Sequence, residues 1–290
     1  MKLVQFMLNT GKIRLGVLEG ENVIDLNSHE NWVPIDLVRF LHEHEHAYEK
    51  LKEVALDPNN KCYSLNTVHL LPPIKKPDKI LGIAQNYTDY CEESGLKRPL
   101  EPIVFSKFAS TIIGPFDKIK HPTCSKAVDW EVELVVVIGK VARNVKAADA
   151  FNYVFGYTAT QDLTAKDYMF QGKNYVLSKN MDHFCPIGPC IVTKDEISDP
   201  HNLSVKTWLN SDLKQDGNTR NLIFKIDQLI EYLSNVITLL PGDLICTGTP
   251  SGVGSNRNPP EFLRPGDLLT SEVEGVGKLR NRVVEYNKIT

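Results

Sequence analysis

Glu131 and Glu133 stand two residues apart in VDWEVELVVVIGK, a segment that turns wholly apolar just after them. Residues two apart in a strand share a face. Asp129, Glu131, Glu133, Val135 and Val137 therefore lie on one side, and Trp130, Val132, Leu134, Val136 and Ile138 on the other. From Glu133 onward both faces are apolar, the pattern of a strand buried on both sides. Two carboxylates on one partly buried face repel, and burying them unpaired is costly. A lysine or arginine, a hard divalent cation, or a strand end left in solvent would each relieve them.

Other residue types in the chain suit such a site. Asp162, in QDLTAKDYM, follows the strand-like GYTAT, where an apolar strand would end; a ligand and a plain turn aspartate both fit there. Lys107 in VFSKFAS and Lys179 in LSKNMDHF interrupt apolar or aromatic stretches. Buried, they would steady an anion; at the surface they would snorkel. TGTPSGVG, residues 247–254, lacks the GK[ST] of a phosphate loop and the GxGxxG of a dinucleotide site. Its glycines still let backbone amides approach a ligand closely. HEHEH, residues 42–46, puts His42 and His46 on one helical face. His44 points elsewhere and no third ligand is near, so the run reads as a solvated helix surface.

The elements that must position these residues are legible in outline. The 290 residues suffice for one large domain, or a domain with a smaller attachment. The segments KLVQFML, KIRLGVLEG and ENVIDL read as short strands, the first two around the turn Asn9-Thr10-Gly11. Leu37, Phe40, Leu41, Tyr48 and Leu51 follow a helical spacing. PPIKKPDK, residues 72–79, is the best boundary, dividing a small β-rich module with one helix (1–71) from the main domain (72–290). Lys146–Val154 reads as helical. The stripe Leu229, Ile230, Leu233, Val236, Ile237 and Leu240 reads as a helix ended by Pro241-Gly242. PGDLI and PGDLL, at 241–245 and 265–269, are turn-strand units whose aspartates can bond the local backbone.

Composition excludes some classes. Hydrophobic residues make up 42 % and charged residues 24 %, and the net charge of −3 carries no basic stripe for nucleic acid. No apolar run approaches the ~20 residues of a membrane span. The N-terminus lacks a signal-peptide pattern, so the cytoplasm is the expected compartment. The six cysteines include no CxxC pair, and reduced thiols are expected.

In order, NYTDYCEESG, PIVFSKFAS, VDWEVELVVVIGK, GYTATQDLTAKD, LSKNMDHFCPIGP, TGTPSGVG and PGDLLTSEVEGVGKL resemble the fumarylacetoacetate hydrolase family. The resemblance covers residues 72–285 or so and is best with the branch called fumarylacetoacetate hydrolase domain-containing protein 2, to which the N-terminal module is also similar. It implies an α+β, β-rich fold: a mixed β-roll or β-sandwich core, usually dimeric. It also implies Mg²⁺ or Mn²⁺ (Ca²⁺ being a third oxygen-seeking candidate) on Glu131, Glu133 and Asp162. Substrates in the family are small 2,4-dioxo acids, acylpyruvates and oxaloacetate, and some relatives of this branch are mitochondrial.

The same resemblance marks departures. Hydrolytic members activate water with a His in N-Y-x-x-H and a Glu three residues on; here those positions are Tyr90 and Glu93. The Arg and Gln of S-A-R-D-x-Q are Lys166 and Met169, while Lys107, Lys179 and Thr249 keep the family's residue types. A tyrosine with a pKa near 10 is a poor base at neutral pH, and losing a general base costs roughly 10²–10⁴ in rate. Lys for Arg keeps the charge without the bidentate grip. The resemblance therefore implies metal-assisted enolisation of oxaloacetate-like acids, as a tautomerase or a decarboxylase. In it Lys107 and Lys179 would neutralise developing charge, Lys166 would hold the distal carboxylate beside Thr249 and Met169, and Glu93 with Tyr90 would handle protons. C–C bond hydrolysis steered by Glu93 is the rival chemistry, and a non-catalytic metal-binding homologue the rival class.

Overall fold

The computed structural model describes residues 1–28, 33–43, 47–172 and 174–286. At its centre runs the strand Val132–Ile138, whose seven residues are all buried. On one side it pairs antiparallel with Val154–Gln161, Val132 facing Gln161. On the other it pairs with Leu244–Cys246, which lies parallel to Ile80–Ala84, itself antiparallel to Ile103–Lys107. Cys185–Thr193 extends the sheet beyond Val154–Gln161, and Lys2–Met7 pairs with Cys185–Thr193. Through that contact the N-terminal strands Ile13–Glu19 and Asn22–Asp25 join the same mixed 12-stranded sheet. A second sheet of five strands contains Ser204–Leu209, Asp212–Asn218, Leu268–Val273 and Gly277–Glu285.

The alternation expected from the sequence holds along the central strand. Val132, Leu134, Val136 and Ile138 pack with Val205, Val273 and Leu279 of the second sheet and with Ile226, Leu229, Ile230 and Leu233. Val135 and Val137 face the opposite core, with Leu37, Phe40, Leu41 and Leu51. The result is the β-rich α+β layering expected, a large mixed sheet covered on both faces.

Four local details differ from or refine the sequence reading. VDWEVELVVVIGK is not one strand: Val128–Asp129 pairs with Thr164–Ala165, and Val132 begins a new ladder. At the break, Asp162 N donates to Glu131 O at 2.8 Å, and the Gln161 side chain accepts from Glu131 N at 2.7 Å. The helix Ile226–Val236 ends before Pro241, because Leu239 forms a bridge with Ala142 and needs extended backbone. Ala147–Tyr153 is a 3₁₀ turn rather than an α-helix. The N-terminal helical spacing is taken up by Leu37–Glu43 and Ala47–Ala55.

His42 is exposed, as a solvated surface requires; His44 and His46 lie outside the described residues. The PGD turns behave as expected: Gly242 and Gly266 have φ of +88° and +101°. Asp243 and Asp267 accept Leu240 N and Arg264 N at 2.6 and 2.7 Å. All six cysteines are free thiols. Among the described residues no helix is long and apolar enough to cross a membrane.

Candidate active site

The break in VDWEVELVVVIGK and the end of Val154–Gln161 meet at one point. There Glu131, Glu133 and Asp162 are buried, with one carboxylate oxygen from each lying within 4.8 Å of the others. Glu133 comes from inside the central strand, Glu131 from the residue just before it, and Asp162 from the residue just after the neighbouring strand. The opening question of the sequence, what relieves the two glutamates, has a first answer in lysine. Lys107, Lys166 and Lys179 are only 3, 2 and 3 % exposed, so none of them snorkels.

Lys166 Nζ lies 2.6 Å from Glu131 Oε1 and 3.7 Å from Asp129 Oδ2. Lys179 Nζ lies 2.7 Å from Glu131 Oε2 and is also paired with Asp162 Oδ2. Burial alone would raise the Glu131 carboxyl; the two ammonium groups overcome it and hold the group at about 2. The same partners keep Lys166 and Lys179 firmly protonated against the pull of burial.

Glu133 is different. Its recorded hydrogen bond comes from Gly248 N, at 2.8 Å, and burial followed by the charge of Asp162 pushes it well above the usual carboxylate range. Asp162 is paired on both oxygens: Lys107 Nζ lies 2.8 Å from Oδ1 while also donating to Lys179 O at 2.5 Å, and Lys179 meets Oδ2. A donor set of three buried carboxylates whose oxygens converge within 4.8 Å, one of them, Glu133, without an ion pair among the described residues, fits a hard divalent cation.

A cavity of about 60 Å³ opens on this cluster, walled by Tyr90, Phe105, Lys166, Met169, Tyr175, Lys179 and Thr249. Phe105 and Tyr175 stack at 5.5 Å between centroids, and Lys179 Nζ sits 4.8 Å over the Phe105 ring. Burial raises the Tyr90 phenol, partly offset by Lys166, so it keeps its proton at neutral pH.

Of the residues singled out in the sequence, the structure brings Tyr90, Glu131, Glu133, Asp162, Lys166, Met169, Lys179 and Thr249 to this one cavity. Lys107 stands behind Asp162. Glu93 is exposed and turned away: its carboxylate accepts Gly252 N at 2.9 Å and Asn256 Nδ2 at 3.0 Å, fastening the TGTPSGVG loop.

Three buried polar residues were missed by the sequence reading. Asp129 was placed on the glutamates' face but given no task; it accepts Gly254 N at 2.7 Å and Ser255 N at 2.9 Å while facing Lys166. Gln161 accepts from Glu131 N at 2.7 Å. Gln215, on the strand Asp212–Asn218, accepts from Val132 N at 3.1 Å and donates to Thr249 Oγ1 at 2.8 Å. A polar residue amid an otherwise strand-like segment was the available signal for both glutamines; their partners lie up to 110 residues away in the chain, beyond the reach of local pattern.

Comparison with known proteins agrees with this geometry. Residues 79–284 match the family model for the fumarylacetoacetate (FAA) hydrolase C-terminal domain. The Xenopus laevis protein named oxaloacetate tautomerase fahd2, mitochondrial, is 45 % identical over 289 residues, covering 98 % of this chain and 90 % of that one. The solved fumarylacetoacetate hydrolase of Exiguobacterium antarcticum overlays with a TM-score of 0.87 at 32 % identity, across 99 % of this chain and 100 % of that one. Maleylpyruvate hydrolase from Sphingobium sp. SYK-6, solved with manganese(II) and pyruvate, overlays with a TM-score of 0.81 at 32 % identity, with the same two coverages. The chain belongs to the fumarylacetoacetate hydrolase family.

Proposed function

We propose that this chain is a divalent-metal-dependent oxaloacetate tautomerase. The observation that carries the reading is the pairing of a buried carboxylate triad with a protonated tyrosine, Tyr90, at the position where hydrolytic relatives hold a water-activating histidine. The name of the Xenopus relative supports the substrate. Glu131, Glu133 and Asp162 would hold the metal, Mg²⁺ by preference and Mn²⁺ as the alternative. Bound there, a divalent cation supplies a Lewis acid that polarises a keto group.

The rest follows from the chain's own residues. With all four ionised, as a bound cation beside Glu133 would require, Asp129, Glu131, Glu133 and Asp162 bring four negative charges against three from Lys107, Lys166 and Lys179. A divalent cation turns that deficit of one into an excess of one, which favours a dicarboxylate dianion. Lys166, at the cavity wall, would meet the distal carboxylate, and Thr249 would donate to a substrate oxygen.

In the ketonising direction Tyr90 gives its proton to the enol carbon, and Lys166 steadies the phenolate. The enol hydroxyl proton then returns to that phenolate, directly or through one water, so Tyr90 ends as it began. The reverse sequence makes the enol. Glu93 serves this scheme by fastening the loop that carries Thr249, not by moving protons. Met169 and the Phe105–Tyr175 stack keep bulk water from the reacting carbon.

We further place the protein as a homodimer, and in mitochondria with its Xenopus relative rather than in the cytoplasm. Activity should vanish on chelation and return with Mg²⁺ or Mn²⁺, followed as the decay of oxaloacetate enol absorbance. Full activity in the presence of chelator would refute the metal-dependent scheme.

A further inference from the structure

We propose that Gln215 is a positioning residue that commits the Thr249 hydroxyl proton to the substrate. The inference rests on the reading above, that the cavity receives a small keto acid.

The polarity of the Gln215 amide is fixed from both ends. A backbone N–H can only donate, so the atom that Val132 N meets at 3.1 Å is the carbonyl oxygen. A backbone carbonyl can only accept, so the atom 3.0 Å from Pro250 O is the amide nitrogen. That nitrogen also lies 2.8 Å from Thr249 Oγ1. Thr249 Oγ1 therefore accepts from Gln215, and its own proton points elsewhere. Among the described residues no acceptor takes that proton, and Thr249 lines the cavity beside Glu131, Lys166 and Tyr90.

The arrangement continues back to the metal-binding strand. Glu131 N donates to Gln161 Oε1 at 2.7 Å, which orients the Gln161 amide nitrogen toward Thr207 Oγ1 and Ser271 Oγ. Thr207, having accepted from Gln161, donates to Gln215 Oε1 at 2.9 Å. A one-way run of donors thus leads from the backbone of a metal-binding glutamate to a hydroxyl aimed at the ligand. All of these side chains are buried, where an oriented donor is worth more than in water.

Gln215 is also held in place by backbone. A Cβ on Gly217 would fall 2.3 Å from Pro250 Cβ, and one on Gly252 would fall 2.2 Å from Lys214 O. The strand and the loop meet with no room between them, so the reach from Gln215 to Thr249 is set by two glycines. A hydroxyl that has lost its freedom to rotate is ready to donate to a carboxylate without first breaking a bond to solvent.

The test is a double-mutant cycle. Gln215→Glu keeps the acceptor for Val132 N but offers Thr249 a second acceptor, drawing its proton inward. It should raise KM for oxaloacetate roughly ten- to a hundredfold, the loss of one hydrogen bond to a charged group, with kcat little changed. Thr249→Val should do the same, and Gln215→Glu should add almost nothing in the Thr249→Val background. Should Gln215→Glu fail to fold, Gln215→Met takes its place in the cycle.

A penalty of equal size in both Thr249 backgrounds, or one confined to kcat, overturns the inference. If wild type turns over oxaloacetate while the cycle is additive, only this inference falls. If wild type is inert on oxaloacetate, the functional reading falls, and the cycle is read in pyruvate binding by calorimetry. There, additivity again overturns the role of Gln215.

Discussion

Lys179 holds two of the three triad carboxylates at once: its Nζ lies 2.7 Å from Glu131 Oε2 and is also ion-paired with Asp162 Oδ2. One ammonium thus does part of what a cation between the carboxylates would do. Removing one partner of a buried charge network costs about 3–5 kcal/mol. Lys179→Met should therefore lower the melting temperature of the chelated protein sharply. Added Mg²⁺ or Mn²⁺ should recover more stability in the variant than in wild type, because the metal replaces a missing charge. An unchanged melting temperature in chelator would show that Lys179 does not balance the cluster.

Glu133 gives the metal-free protein a pH dependence of unusual sign. Burial, then the charge of Asp162, raises its carboxyl in the fold above the ordinary value of 4.5. The folded state then binds that proton more tightly than the unfolded chain. The contribution is fully present below 4.5 and is lost as pH rises toward the raised value. Chelated wild type should lose stability over that rise, measured by denaturant titration at several pH values. Glu133→Gln should flatten the trend, and an identical slope in the variant would assign it to another group.

Tyr90 tests the proton chemistry. Tyr90→Phe keeps the ring that walls the cavity and removes the hydroxyl. Tautomerisation should fall by roughly 10²–10⁴ with KM near wild type. A variant as fast as wild type would remove Tyr90 from the mechanism.

Glu93 separates fastening from proton transfer. Its carboxylate accepts Gly252 N and Asn256 Nδ2, and a glutamine oxygen can accept in the same way. Glu93→Gln should retain most activity and an unshifted pH profile, while Glu93→Ala should loosen the loop and raise KM. A large kcat loss in Glu93→Gln, with a displaced pH profile, would restore a proton-transfer role to Glu93.

How much of this was legible beforehand depends on the range of the signal. The Glu131–Glu133 spacing and the apolar run after it announced a charged strand end in a core, because strand alternation is local. Which of three outcomes relieved it was not local. Lys166 and Lys179 lie 35 and 48 positions from Glu131, and only the fold brings them to it and buries them.

Gln161 and Gln215 show the same limit more sharply. A buried glutamine is legible only with its partners, and theirs come from the other sheet or from the far end of the chain. The strand break at Trp130–Glu131 escaped for a related reason. Alternation reads straight through it, whereas the break is made by Asp162 N and the Gln161 side chain closing on Glu131. The early end of Ile226–Val236 likewise belongs to a bridge with Ala142. Pro241-Gly242 marked the turn correctly but not the last helical residue.

The most direct test follows two signals in one reaction of oxaloacetate with Mg²⁺ or Mn²⁺: decay of enol absorbance and release of pyruvate, with Glu131→Ala alongside. Faster enol decay without pyruvate release, abolished in Glu131→Ala, is the predicted result. Pyruvate release matching enol decay, or enol decay at the uncatalysed rate with metal demonstrably bound, would contradict it.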